Sequence, residues 1–194
     1  MAPGNGAGGP GAPNKERLEG RGTGPGDALL TQPADPTSLG DTRPMKLYFA
    51  GPLFTTPERT WNAEVVAALR AAGHEIFLPQ EQEPGKDAAG IFATDVGGID
   101  WADGLVEIMD GPDPDSGTCW EVGYAYGSKK PIVLVRTDFR DLAGKAGRYN
   151  PMMAESATIR LDLPAASTTE VITAILEALS TIERDRLGKG ATPA

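Results

Sequence analysis

One stretch, Asp113 to Gly127, constrains the fold of this chain more than any other. It lies between two short apolar runs, Leu105 to Met109 and Ile132 to Val135. Runs of that length, bounded by turn residues, suit buried strands. The stretch between them then reads as a loop that leaves one strand, enters a helix and returns to a parallel strand. In open α/β sheets ligands bind at the carboxyl ends of the strands. The spacing places Glu121 in the first turn of the helix, with Asp115 in the loop before it.

Glu121 has two readings. Thr118 as N-cap with Glu121 at the third helical position makes a capping box, in which two backbone N–H groups are satisfied reciprocally. Alternatively, Glu121 is a carboxylate nucleophile whose charge is favoured by the helix N-terminus. The residues around it have to decide.

Composition removes several kinds of chemistry. A net charge of −9 over 194 residues argues against nucleic acid as a partner. The single cysteine, Cys119, excludes an internal disulfide and a cysteine-based metal cluster, and fits a reducing, cytoplasmic setting. It reads as a small buried hydrophobe. With one histidine, His74, a His-rich metal site is impossible and a Ser-His-Asp triad improbable. His74 precedes the apolar Ile76 to Leu78 and is expected at a strand edge. No stretch approaches the roughly 18 apolar residues of a membrane span. Carboxylates are left to do the chemistry, with no cofactor expected.

Residues 1–44 hold 10 of the 25 glycines and 7 of the 17 prolines, with nothing apolar to bury beyond Ala28 to Leu30. This segment is expected to be disordered. It lacks the basic start and apolar core of a secretory signal. The ordered domain is expected over 45–188, followed by a frayed tail over 189–194. Its first strand is Leu47 to Ala50, turned by Gly51 and Pro52. A helix starts near Pro57 and carries a stripe at Trp61, Val65, Leu69 and Ala72, until Gly73 stops it. Ile76 to Leu78 is the second strand, and Gln80 to Gly85 a polar loop. A weakly patterned helix spans about 88–103, with Asp95, Ile99 and Asp100. After the third and fourth strands, 138–150 reads as loop. Thr158 to Leu163 alternates as a fifth, edge strand. Thr168 to Arg186 is a helix capped by Ser167, Thr168 or Thr169. Strands alternating with helices give a doubly wound α/β fold with a five-stranded, mainly parallel sheet.

Polar residues then gather at the carboxyl ends of the strands: Tyr48 with Gly51, Gln80 and Gln82, Asp110, Asp113 and Asp115, Glu121, and Asp138. A crevice lined by carboxylates suits a substrate that turns cationic as it reacts, such as the oxocarbenium ion of a sugar. One carboxylate attacks the anomeric carbon, and a protonated carboxyl serves the leaving group. A Mg²⁺ site held by the aspartates is the other chemical reading, although no Walker-type loop accompanies them. A solvated acidic loop is the plain one.

Three pieces favour the first reading: Tyr48 to Phe54, Asp95 to Ile99, and Asp115 to Ala125. In order and spacing they resemble the nucleoside 2-deoxyribosyltransferases, over about residues 45–165. That resemblance implies a flavodoxin-like fold and a residue-by-residue set of roles. Glu121 matches the nucleophile that carries the deoxyribosyl group, and Tyr48 the tyrosine that orients it. Asp95 matches the acid/base for the leaving and incoming bases; otherwise it is a surface charge, and Asp100 or Asp103 does that work. Asp115 matches an aspartate that grips sugar hydroxyls, or else only shapes the turn after Pro114. Asn150-Pro-Met152 resembles a segment that completes a neighbouring subunit's site, or else is only a turn. Gln80 or Gln82 resembles the glutamine on the base, and Phe54 the aromatic packed near it. Trp61 and Trp120 suit core or interface. The family also implies a homo-oligomer, dimer or hexamer, acting on deoxyribonucleosides and free bases in nucleotide salvage. A 5′-monophosphate N-glycosidase and a non-catalytic nucleotide-binding module are the rivals.

Overall fold

Alternation along the first strand sets the architecture. Leu47 and Phe49 point into one apolar cluster, Tyr48 and Ala50 into another, and all four are buried. A strand apolar on both faces needs cover on both, and that is supplied by crossover helices. The computed structural model describes residues 43–82, 84–111, 113–138, 140 and 149–189. Residues 1–42 of the expected disordered segment over 1–44 and residues 190–194 of the expected tail over 189–194 lie outside the described residues, as does the loop over 141–148.

Among the described residues, β1 (Lys46–Ala50), β2 (Glu75–Phe77), β3 (Gly104–Ile108), β4 (Ile132–Arg136) and β5 (Ile159–Asp162) form one sheet in the order β2-β1-β3-β4-β5. Every neighbouring pair is parallel. This is the flavodoxin-like order. On one face lie α1 (Thr56–Ala71) and α6 (Thr168–Lys189), over Leu47, Phe49, Val106, Ile108, Val133 and Val135. On the other lie α3 (Ala88–Trp101), α4 (Ser116–Gly127) and α5 (Pro151–Ser156), over Tyr48, Ala50, Leu105, Met109, Ile132 and Leu134. Each fully buried Leu, Ile or Val contributes about 1.5–3 kcal/mol.

The helix starts are written locally. Thr55 and Glu58 form a capping box at α1, with Pro57 in its first turn. Ser167 and Glu170 form another at α6: the Glu170 N–H donates to Ser167 Oγ and the Ser167 N–H to Glu170 Oε2. His74 is buried rather than at an open edge; its Nδ1 accepts from the Met45 N–H at 3.3 Å, and burial lowers its pKa.

Two expectations need correction. The polar loop from Gln80 begins instead as a short helix, α2 (Pro79–Gln82). Arg70 of α1 holds Glu81 through two hydrogen bonds of 2.9 and 2.7 Å, a contact between distant segments that local polarity does not reveal. More importantly, α4 starts at Ser116, because Asp115 takes the cap position and its Oδ2 accepts from the Thr118 N–H at 3.0 Å. Thr118 is therefore not the N-cap. Glu121 lies in the second turn, so neither the capping box nor first-turn stabilisation by the helix end applies to it.

Candidate active site

The site begins with a tyrosine in a strand. Tyr48 sits opposite Leu105 of β3 and opposite Phe77 of β2, with its side chain on the face covered by α3 and α4. Its ring stacks on Phe77. That stack depends on Gly98 of α3, where an added Cβ would come within 2.6 Å of the Phe77 ring. From this bed the Tyr48 hydroxyl donates to Glu121 Oε1 at 2.5 Å. Burial first, then the charge of Glu121, push the Tyr48 hydroxyl far above the usual phenol range. It therefore stays protonated and keeps donating. Asp95, half-buried on α3, and Glu107 add to that shift, so both carboxyls lie within electrostatic reach of the same hydroxyl. The structure thus brings Tyr48, Asp95 and Glu121 together from three elements.

At the carboxyl edge of the sheet opens a cleft of about 920 Å³, whose lining does not include Tyr48, Asp95 or Glu121. Phe54, Trp61 and Asn62 line one side, and Asp110, Asp113, Asp115, Asp138 and Arg140 the other. Asp115 joins the two regions: it lines the cleft and also caps the helix that carries Glu121.

The acidic rim is less of a free negative surface than the sequence suggests. Asp110 accepts from the Thr137 N–H and hydroxyl at 2.6 and 2.5 Å, and from the Asp138 N–H at 2.9 Å. Asp138 is paired with Arg140, and this hydrogen bonding holds its carboxyl far below the usual range. These two aspartates tie the end of β3 to the end of β4.

The other expected residues are spread around this centre. Gly51 leaves β1 so close to β3 that a Cβ there would meet the Ile108 Cβ at 2.9 Å. Phe54 is 71% exposed and lines the cleft. Gln80 is turned towards α1: its Nε2 donates to the Arg59 carbonyl at 2.9 Å, and its Oε1 accepts from Asn62 Nδ2 at 3.4 Å. Gln82 is exposed at the end of α2. Asn150 caps α5, its Oδ1 accepting from the Met152 N–H at 2.9 Å, and Met152 is 75% exposed.

Three residues escaped the sequence reading. Asn62 is buried and donates to the Pro52 carbonyl, fixing the turn after β1. Arg136 is fully buried and clasps the carbonyls of Met109 and Gly111 at 2.5 and 2.8 Å. Glu107 is a fully buried carboxyl in the middle of an apolar strand. A polar residue inside a continuous apolar run is the signal that marks Glu107.

Fold and site together define a flavodoxin-like α/β domain with a tyrosine–carboxylate pair, and a cleft at the carboxyl edge of its sheet that Asp115 links to the helix of that carboxylate. The model of the nucleoside 2-deoxyribosyltransferase family matches residues 47–172, more than half of the chain. The chain belongs to that family, which is one of enzymes. It is 26% identical to the 2-deoxyribosyltransferase of the psychrotolerant Bacillus psychrosaccharolyticus, over 67% of this chain and 94% of that one, with a TM-score of 0.53. A 2-desoxiribosyltransferase from Leishmania mexicana shares 20% identity over 69% of this chain and 98% of its own, with a TM-score of 0.56. The CMP N-glycosidase of Clostridium botulinum shares 15% over 67% and 98%, with a TM-score of 0.50. These last two likenesses show the fold alone. No curated protein matches the chain by sequence.

Proposed function

We propose that this chain exchanges the nucleobase of 2′-deoxyribonucleosides by double displacement. The observation that carries the reading is the hydrogen bond from Tyr48 to Glu121, which leaves one carboxylate oriented by a hydroxyl that cannot itself ionise. In the first step Glu121 attacks C1′. A C–O ester bond forms, and the electron pair of the C1′–N bond leaves with the base, which takes a proton from Asp95. In the second step the incoming base gives its proton to Asp95 and displaces Glu121, so the configuration at C1′ is retained. Asp115 and Phe54, both on the cleft wall, are assigned to sugar and base. Gln80 or Gln82 is assigned to the base as well, with Gly51 shaping the approach.

The cleft favours a nucleoside over a nucleotide. Among its described residues Arg140 is the cation, it is committed to Asp138, and four other carboxylates share the walls. That is a poor cradle for a phosphate dianion. Asn150 and Met152, exposed on α5, are assigned to a neighbouring subunit's site in a cytoplasmic homo-oligomer. Exposed Phe92 and Trp120, the latter stacked on half-buried Tyr124, give that assembly an apolar surface on α3 and α4.

The test is deoxyinosine plus adenine, followed by product identification. Deoxyadenosine supports exchange. Free deoxyribose marks a hydrolase, and tight binding without turnover marks a binding module. A 2-fluoro-2-deoxyarabinosyl nucleoside should leave an adduct on Glu121, seen by intact-mass spectrometry and peptide mapping. An adduct elsewhere removes the mechanism.

A further inference from the structure

Glu107 sits where a carboxyl group is costly. The register of β1 and β3 sets Tyr48 against Leu105 and Ala50 against Glu107. Side chains two apart on a strand share a face. Glu107 therefore points to the face of Tyr48 and Glu121, one step nearer the carboxyl edge. It is fully buried, and neither carboxyl oxygen has a hydrogen-bond partner. An ionised carboxylate in such a place is strongly disfavoured, and the group neutralises instead.

The charged and titratable groups facing it are few. From α4 come Glu121 and Cys119, and from β1 comes Tyr48. From α3, Asp95 reaches the same tyrosine. From β4, Arg136 lies on this face; its two terminal nitrogens donate to the carbonyls of Met109 and Gly111, and its Nε has no hydrogen-bond partner. Tyr149, in the same apolar cluster, donates to the Leu161 carbonyl. None of these donates a hydrogen bond to Glu107, and the charge of Glu121 opposes a second negative charge there.

We propose that Glu107 is a positioning residue for the transfer step: a buried carboxylic acid that confines the site's negative charge to Glu121, and whose hold on its proton changes when Glu121 becomes an ester. The functional part rests on Glu121 being the nucleophile. Burial first, then the Glu121 charge, raise the Glu107 pKa. Esterification turns Glu121 from an anion into a neutral ester and removes the second of those causes. The bond changes at C1′ are those of the transfer itself. Glu107 makes and breaks no bond except to its own proton, which passes to solvent. By linkage, Glu107 holds its proton more tightly in the free enzyme than in the glycosyl-enzyme. Between its two midpoints, forming the intermediate releases part of a proton from Glu107. The leaving base takes its proton from Asp95, so that step draws none from solvent. Between the two midpoints the amount of intermediate therefore rises with pH relative to a variant without Glu107.

The experiment uses the full chain and infrared difference spectroscopy between pH values. The wild type should show a carbonyl band of a protonated carboxylic acid at neutral pH that persists in Asp95→Asn and is lost in Glu107→Gln. In Glu121→Gln, which imitates the uncharged ester, that band should titrate at a lower pH. Absence of the band in the wild type, or the same midpoint in Glu121→Gln, overturns the proposal. If Glu107→Gln does not fold, Glu107→Met supplies the band assignment. As a functional readout, deoxyribosyl adduct is quantified by intact mass against pH with a fixed deoxyinosine-to-hypoxanthine ratio. The wild type should gain adduct relative to Glu107→Gln as pH rises, and a ratio of the two that does not change with pH overturns the linkage to transfer. If no adduct forms on Glu121 in any protein, the transferase reading fails and with it the functional part, whereas the infrared result still decides the state of Glu107.

Discussion

Phe77 lies flat against Tyr48, the ring centroids 5.4 Å apart and the planes 14° from parallel. The tyrosine that holds Glu121 is thus itself held, through a neighbour on the next strand and a glycine on the helix above. Gly98→Ala puts a methyl group 2.6–2.7 Å from three carbons of the Phe77 ring. Overpacking of this kind costs about 1–3 kcal/mol. We expect that loss in denaturant unfolding, together with a lower transfer rate as Tyr48 loses its support. A variant with full stability and full rate contradicts the packing chain.

Tyr48→Phe deletes the hydroxyl and keeps the ring. A hydrogen bond to a charged group contributes about 1.5–3 kcal/mol, and its loss from the transfer step corresponds to roughly a 10- to 100-fold fall in rate. The fold should survive, since the stack on Phe77 remains. Glu121→Ala should abolish transfer with the fold intact. Circular dichroism and single-turnover kinetics on both variants separate the two roles.

Two buried titratable groups shape stability against pH in opposite ways. The Glu107 pKa is raised by folding, so its contribution is fully present below the ordinary glutamate range and declines as pH rises towards the folded value. The His74 pKa is lowered, so its contribution is present above the ordinary imidazole range and is lost as pH falls through that range. Glu107→Met should therefore stabilise the protein, with a gain that is small near about pH 4 and larger near about pH 8. Chemical denaturation across that range checks it. A gain that shrinks with rising pH reverses the sign and refutes the assignment.

Asp110→Ala removes the acceptor for the Thr137 and Asp138 N–H groups and the Thr137 hydroxyl. Leaving such donors unsatisfied costs about 1–3 kcal/mol. The expected signature is local: faster amide hydrogen exchange at Thr137 and Asp138, with the centre of β4 still protected. Uniform acceleration along β4 would mean that Asp110 supports the whole strand instead.

Much of this was legible in the sequence because it is local. Strand runs, the α1 stripe and the Ser167 cap are set by residues within a few positions of one another. The order of the sheet follows once parallel crossovers are accepted. The start of α4 was misread because Thr118 and Glu121 fit a capping pattern, while Asp115, a better cap, had been given to the cleft. The corrected cap moves Glu121 out of the first turn. The Arg70–Glu81 pair, the Asp110 latch and the environment of Glu107 are contacts across tens of residues, which no local period encodes. The oddity of Glu107 was nonetheless on view, as an acid in the middle of Leu105 to Met109.

Asp115 belongs at once to the wall of the cleft and to the N-cap of α4. Its Oδ2 is fixed by the Thr118 N–H, so the carboxyl can be pulled from the cleft side only by dragging on the helix. Two turns of that helix hold Asp115 and Glu121 at a set spacing. Whatever fills the cleft and grips Asp115 is thereby measured against the oxygen of Glu121, as a caliper measures with one jaw fixed.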